Sequence, residues 1–254
     1  MKIIAITNQK GGVAKTTTAY AIGAGLSLRG YRVLYIDLDA QTNLSYVMEA
    51  DATGLTGISA LDVLEGRSSA SAAIQHTPHG DIIASTPALA GVDTVLTQVG
   101  KEYRLKEALE PLQGSYDYII IDTPPALGIL TVNALTACNG CIIPAQADIY
   151  SLQGISQLYN TLQTVKKYCN RDLKVMGILL TRYNGRAIIS REAADLIDQA
   201  AAQMDSKLYQ SRIRECTALK EAQACRENIF TYAPHSNAAA DYTSLVDEIL
   251  SEED

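Results

Sequence analysis

The sequence predicts a doubly wound α/β fold: a single domain over residues 1–254, with a mostly parallel sheet flanked by helices. Three observations predict it. The chain opens as strand, turn and helix, with the apolar β-branched run Ile3–Ile6, a glycine-rich turn, and Ala19–Ile22, Ala24, Leu26 and Leu28 spaced as a helix lying on a sheet. Two later apolar strands, Val33–Ile36 and Ile119–Ile121, each run directly into an aspartate. Finally, 254 residues with 47% hydrophobic and 19% charged content suit one domain with a substantial core.

The turn of the opening unit reads Gln9-Lys10-Gly11-Gly12-Val13-Ala14-Lys15-Thr16-Thr17. Between a strand and a helix, such a turn aims backbone N–H groups and the positive helix end at one point, a site for phosphate. Lys15 is placed to hold the β- and γ-phosphates and the Thr16 hydroxyl to ligate Mg²⁺. The usual pattern G-x-x-x-x-G-K-S/T is not met, because Gln9 and Ala14 stand at its two glycine positions. At Ala14 the sequence favours an alanine-compatible turn with negative φ and no strain, since Lys10, Lys15, Thr16, Asp39 and Asp122 are all in place.

After the first helix, Arg29-Gly30 is a stop and Val33–Ile36 the second strand, leading into Asp37-Leu38-Asp39-Ala40-Gln41-Thr42-Asn43. Acidic groups at a strand's C-terminal end sit where parallel sheets bind ligands, and they could organise Mg²⁺ and its waters. The same residues also suit a helix-capping turn. Further on, Ile58–Leu64 and Glu102–Leu112 read as helices, Asp81–Ala84 as a strand, Ser68–Ala73 as a further helix start and Thr77–Gly80 as a turn. Tyr116–Pro125 then gives a strand ending in Asp122, an arrangement in which the carboxylate holds Mg²⁺.

Cys138-Asn139-Gly140-Cys141 is a C-x-x-C, but it spans a helix-end signal and opens the strand Cys141–Pro144, so both cysteines read as structural. A helix ends at Tyr168, Val175–Leu180 is another buried strand, Tyr209–Ile213 a short one, and a closing helix runs from about Ala238 to Leu250.

The five cysteines show no disulfide-scaffold spacing and read as reduced thiols. His76, His79 and His235 lack metal-site spacing. No apolar run approaches the ~20 residues of a membrane span, and Met1-Lys2 enters the first strand without a leader, so a cytoplasmic location is expected. The net charge is −7, yet Lys166–Arg226 holds 12 Lys/Arg against 7 Asp/Glu, whereas Glu227–Asp254 holds 7 acids and no Lys or Arg. A basic stretch beside an acidic tail is compatible with a local DNA-binding face and equally with solvated helices.

Taken in order, these motifs resemble the ParA/MinD family of ATPases. Lys10–Thr17 is similar to its deviant Walker A motif K-G-G-V-G-K-T-T, and Asp37–Gln41 to its D-x-D-P-Q, with Ala40 in place of proline. Asp122-Thr123-Pro124-Pro125 resembles the family's γ-phosphate-sensing loop, and Gln146–Tyr168, with a Leu152-Gln153-Gly154 turn, the segment after the next strand. The likeness extends from Lys2 to about Leu250.

It implies an ATPase using ATP and Mg²⁺, with Lys10, Gly11, Gly12, Val13, Ala14, Lys15, Thr16 and Thr17 around the phosphates. Asp39 would position the attacking water, Thr16 and Asp122 would serve the metal, and Asp37 its outer shell. Thr181 and Arg182 would lie near the adenine. Lys10 would reach the nucleotide of a second subunit in a face-to-face homodimer. The resemblance further implies non-specific DNA binding through Arg186, extended here to Arg214 and Lys220, hydrolysis stimulated by a ParB-like partner, and nucleoid association. An N-terminal operator-reading extension is not expected.

Two departures stand out. Ile213-Arg214-Glu215-Cys216 replaces the family's I-P-R-N, and the acidic last helix is opposite in charge to the membrane-binding tail of MinD-type proteins. The rival readings are a metabolic or metal-cluster-carrier ATPase on the same fold, and a nucleotide-switched regulator without significant turnover.

Overall fold

The computed structural model of the chain describes residues 1–53 and 57–252; Glu253 and Asp254 of the acidic tail lie outside the described residues. Seven strands form one sheet: β1 (Lys2–Ile6), β2 (Val33–Asp37), β3 (Ile74–Thr77), β4 (Gly80–Ile83), β5 (Tyr118–Asp122), β6 (Gly140–Gln146) and β7 (Lys174–Thr181). Their order is β3-β4-β2-β5-β1-β6-β7. Every pairing is parallel except the β3–β4 hairpin.

Helices α1 (Lys15–Ser27) and α2 (Asn43–Val47) follow β1 and β2. Four short helices, α3 (Ala60–Glu65), α4 (Ala70–Ala73), α5 (Val92–Val95) and α6 (Arg104–Leu109), occupy the long path to β5. Helices α7 (Ile129–Ala137), α8 (Ile149–Tyr168) and α9 (Ile188–Gln203) follow β5, β6 and β7 in turn. The chain closes with α10 (Thr217–Ala224), α11 (Ile229–Tyr232) and α12 (Asn237–Ser251).

The central strands read as continuous apolar runs because both of their faces are covered. Along β1, Ile3 and Ala5 face one apolar layer with α3, α6, α7, α8 and α9, while Ile4 and Ile6 face the other with α1, α2, α10, α11 and α12. The alternation repeats in β5, where Ile119 and Ile121 oppose Tyr118 and Ile120. Each such fully buried Ile is worth about 1.5–3 kcal/mol of transfer free energy.

Several local expectations need correction. The stretch Glu102–Leu112 is not one helix; it passes through 3₁₀ turns at Lys101–Tyr103 and Glu110–Leu112 on either side of α6. Leu152-Gln153-Gly154 is no turn but lies inside α8, where Gly154 packs against Asn8 and Gln9. Asn139-Gly140 does not form a left-handed helix end. Asn139 instead joins β1, its Oδ1 accepting from the Ile3 N–H (2.7 Å), and Gly140 opens β6 beside Met176.

Tyr209–Ile213 is not a strand. Its backbone hydrogen bonds to β7 fall at Ile178 and Leu180, and the ladder does not continue between them because the N–H groups of Gln210 and Ser211 donate to the Glu248 carboxylate of α12 (3.0 and 3.1 Å). Cys138 and Cys141 are both buried, and burial pushes both thiols up, Cys141 to about 12.

What positions a site is the register at the strands' C-terminal ends. Asp122 is level with Ile6 on one side and with Asp37 on the other. The chain leaves β1 toward β2 on one side, and later strands β6 and β7 build out on the other, so the switch in strand order lies at β1, where ligands bind in such sheets.

Candidate functional site

The turn between β1 and α1 is a backbone cradle. By the geometry of any helix, the first N–H groups of α1 lack intrahelical partners, and no side chain caps them among the described residues. The Thr18 N–H is the first to reach a carbonyl, that of Ala14 (2.9 Å). Two residues bend the turn through the left-handed region, Gly12 at φ 74 and Ala14 at φ 66. The expected negative φ at Ala14 is therefore wrong. Ala14 must turn the chain into α1 while keeping successive N–H groups pointed inward, and that demand overrides its steric preference.

The cradle is braced from the neighbouring strands. The Gln146 side chain donates to the Gly12 carbonyl (3.1 Å), and the Asn8 amide to the Pro144 carbonyl (2.7 Å). The Thr181 hydroxyl lies 3.1 Å from the Val13 carbonyl and is fully buried. Thr181 is thus turned toward the cradle backbone, and its hydroxyl is not free for a base contact.

Beside the cradle, the Thr16 hydroxyl donates to Asp122 Oδ2 (2.6 Å). The other oxygen, Oδ1, is buried and without a hydrogen-bond partner among the described residues. Burial and the facing Asp37 carboxylate push the Asp122 carboxyl well above its ordinary range. An orphaned buried carboxylate oxygen next to a threonine hydroxyl fits a hard divalent cation, and Thr16 and Asp122 are the residues to hold it.

Asp37 is engaged differently. Its Oδ2 accepts from the Ser45 N–H (2.9 Å) and hydroxyl (2.7 Å), and its Oδ1 from the Asp39 N–H (3.0 Å). Both oxygens anchor the segment that carries Asp39, so Asp37 has a positioning role, level with Asp122 in the sheet. Asp39 itself faces the cleft, held through its Oδ1 by the Gln41 N–H (3.0 Å) and through its carbonyl by the Ser85 hydroxyl (2.6 Å).

Lys15 is buried and donates to the Lys10 carbonyl (3.1 Å). Burial depresses its ammonium, against the pull of Asp122 and Asp39. Lys10 points elsewhere. Its Nζ binds both oxygens of Asp148 (3.0 and 2.7 Å), the residue that caps α8, and it lines a separate hollow with Pro125, Leu127 and Tyr150. Burial raises the Asp148 carboxyl, but the bonds from Lys10 and Ser151 outweigh it and hold it low.

Two cavities that share Gly12, Ala14, Thr17 and Gln223 in their walls cover the cradle. The larger, about 570 Å³, runs between α2 and α10 and is lined by Lys15, Thr16, Thr17, Asp39, Gln41, Tyr46 and Gln223. The smaller, about 220 Å³, lies against Thr181, Arg182, Ile213, Leu219 and Tyr242. Arg182 has φ 50 and pairs with Glu215 (3.2 Å).

Of the three residues expected to meet DNA, Arg186 has no acidic partner among the described residues, and Lys220 lines the smaller cavity. Arg214 is occupied: its guanidinium and backbone N–H both bind Asp241 (2.6 to 3.1 Å), so its charge is already compensated, contrary to expectation. Asp148, Gln146, Ser45 and Gln223 escaped the sequence reading. Asp148 carried a helix-start signal, but its pairing with Lys10 spans 138 residues, which no local pattern encodes.

A family model described as an AAA domain matches residues 1–175. The chain is 39% identical over 253 residues to the sporulation initiation inhibitor protein Soj of Bacillus subtilis, covering 98% of each. It is 36% identical over 256 residues to the chromosome partitioning protein ParA of Myxococcus xanthus, covering 98% of this chain and 88% of that protein. Among solved structures, cobyrinic acid a,c-diamide synthase from Mycobacterium smegmatis with bound ADP and magnesium is similar at TM-score 0.82 and 34% identity, over 98% of this chain and 94% of that one.

Proposed function

The chain belongs to the Soj and ParA family of partitioning ATPases, and from that premise we propose that it is an ATP-switched partition ATPase: with ATP and Mg²⁺ it pairs into a dimer that binds DNA without sequence preference. A ParB-like partner stimulates hydrolysis and resets the cycle, in the cytoplasm and on the nucleoid. The observation that carries this reading is the division of labour between the two lysines. Lys15 lies in the cradle with Thr16, Asp39 and Asp122, while Lys10 is turned out of it and held by Asp148. A cation so placed does not serve its own cradle, which supports a role toward a second subunit.

Bound Mg²⁺ supplies neutralisation of charge around the γ-phosphate. The residues of this chain do the rest. The turn's N–H groups and Lys15 fix the phosphates, Asp39 orients the attacking water, and Asp37 and Ser45 hold Asp39 in place. Turnover is slow until Lys10 of a partner subunit completes the site.

Lys15→Ala is expected to abolish ATP binding, because no other lysine or arginine lines the larger cavity beside Thr16 and Asp39 among the described residues. Asp39→Ala should bind ATP, fail to hydrolyse it and accumulate as a dimer. Sizing in ATP and Mg²⁺ checks both, and a monomeric Asp39→Ala protein would remove Asp39 from water activation. The likeness to an amide synthase supports a second reading, ATP use in a biosynthetic reaction. Turnover that rises with DNA favours partition; turnover indifferent to DNA favours the synthase.

A further inference from the structure

We infer that Gln223 binds the sugar of the nucleotide and makes this site selective for ribonucleotides. In a nucleotide the sugar is bonded between base and phosphates. The larger cavity, with Lys15, Thr16 and Asp39, is equipped for phosphates and metal; the smaller one, walled by Ile213, Leu219 and Tyr242, is equipped for a flat apolar ring. The residues common to both walls are Gly12, Ala14, Thr17 and Gln223, so the sugar has to cross there.

Only two of those four have polar side chains, and they are bonded to each other: Gln223 Nε2 lies 2.8 Å from Thr17 Oγ1. A glutamine amide offers two N–H donors and an oxygen with two lone pairs, and this contact uses one of those sites. No other hydrogen bond engages the Gln223 amide among the described residues. Its orientation does not alter the argument, because the Thr17 hydroxyl can give or accept. Either way one amide atom is left at the crossing, opposite a sugar whose hydroxyls also give and accept. The bond to Thr17 spans 206 residues and pins α10 to α1, so the amide is held at the crossing before any nucleotide arrives.

This rests on the cleft being a nucleotide site, and the test separates the two claims. Equilibrium binding of ATP, 2′-deoxy-ATP and 3′-deoxy-ATP, each with Mg²⁺, is measured for the full chain and for Gln223→Leu. The wild type is expected to bind one deoxy analogue roughly two- to tenfold more weakly than ATP, the worth of one hydrogen bond. Gln223→Leu is expected to lose that preference, binding ATP no better than the analogue. Gln223→Glu keeps an acceptor, so it should retain the preference while binding all three more weakly, its charge standing beside the phosphates. A wild type that binds all three equally overturns the sugar contact without any variant, as does a Gln223→Leu protein with the wild-type preference. A wild type that takes up no nucleotide overturns the nucleotide site itself.

Discussion

Ala14 carries the clearest residue-scale conflict between steric preference and architecture. At φ 66 and ψ 34 it is left-handed, and an L-residue with a Cβ is disfavoured there by about 1–2 kcal/mol. Glycine would relieve that strain but add about 0.4–1 kcal/mol of unfolded-state entropy. The net expectation for Ala14→Gly is a gain of about 0.5–1 kcal/mol, a rise of roughly 2 °C in Tm for a chain of this size. A thermal melt checks it, and a lower Tm would show that the turn relaxes around alanine.

The identities of Lys15, Thr16, Asp39 and Asp122 were legible in the sequence because each lies in a short contiguous motif at the end of a strand. The conformation of Ala14 was not, because it is imposed by the turn as a whole. Nor was the occupation of Arg214, whose partner Asp241 lies 27 residues away on α12.

At the scale of elements, the central strands were legible because two-sided burial leaves an unbroken apolar run. Helix α9 also left a signal in Ala193, Ala194, Ile197 and Ala201, a buried stripe at helical spacing, although surrounding charge obscures it. Strand β3 left little: it is an edge strand of four partly exposed residues, stabilised by pairing with β4.

Close packing between elements gives one prediction. A Cβ on Gly23 in α1 would clash with the Tyr35 ring of β2. Gly23→Ala should therefore destabilise by about 1–3 kcal/mol through overpacking, despite alanine's better helix propensity. Urea unfolding reads the difference, and a stabilised variant would show that the ring has room to move.

The tie between α8 and the cradle gives another. Asp148→Asn keeps a good N-cap for α8 but removes the charge that holds Lys10. With both side chains about a third exposed (27% and 34%), the pair is worth little, about 0.2–1 kcal/mol. ATP-dependent dimerisation should then shift to lower protein concentration by up to about fivefold. Sedimentation in ATP and Mg²⁺ reads the midpoint, and an unchanged midpoint would mean that Lys10 is not restrained by Asp148.

For the whole molecule, one end of the sheet gathers Lys15, Thr16, Asp39 and Asp122, while Arg186, without an acidic partner among the described residues, lies just beyond β7. Charge on the chain as a whole opposes DNA, at −7, so the proposed DNA binding has to come from a local basic face rather than from net attraction. Such binding weakens steeply with salt, since each phosphate contact releases counterions. Arg186→Glu should reduce it without altering dimerisation.

The central claim, that ATP switches this chain into a DNA-binding state, is tested most directly by co-sedimentation with non-specific duplex DNA in ATP and Mg²⁺, in ADP and Mg²⁺, and without nucleotide. The account predicts DNA-bound protein with ATP alone, lost as salt rises. Equal sedimentation in all three conditions, or none in any, would contradict it.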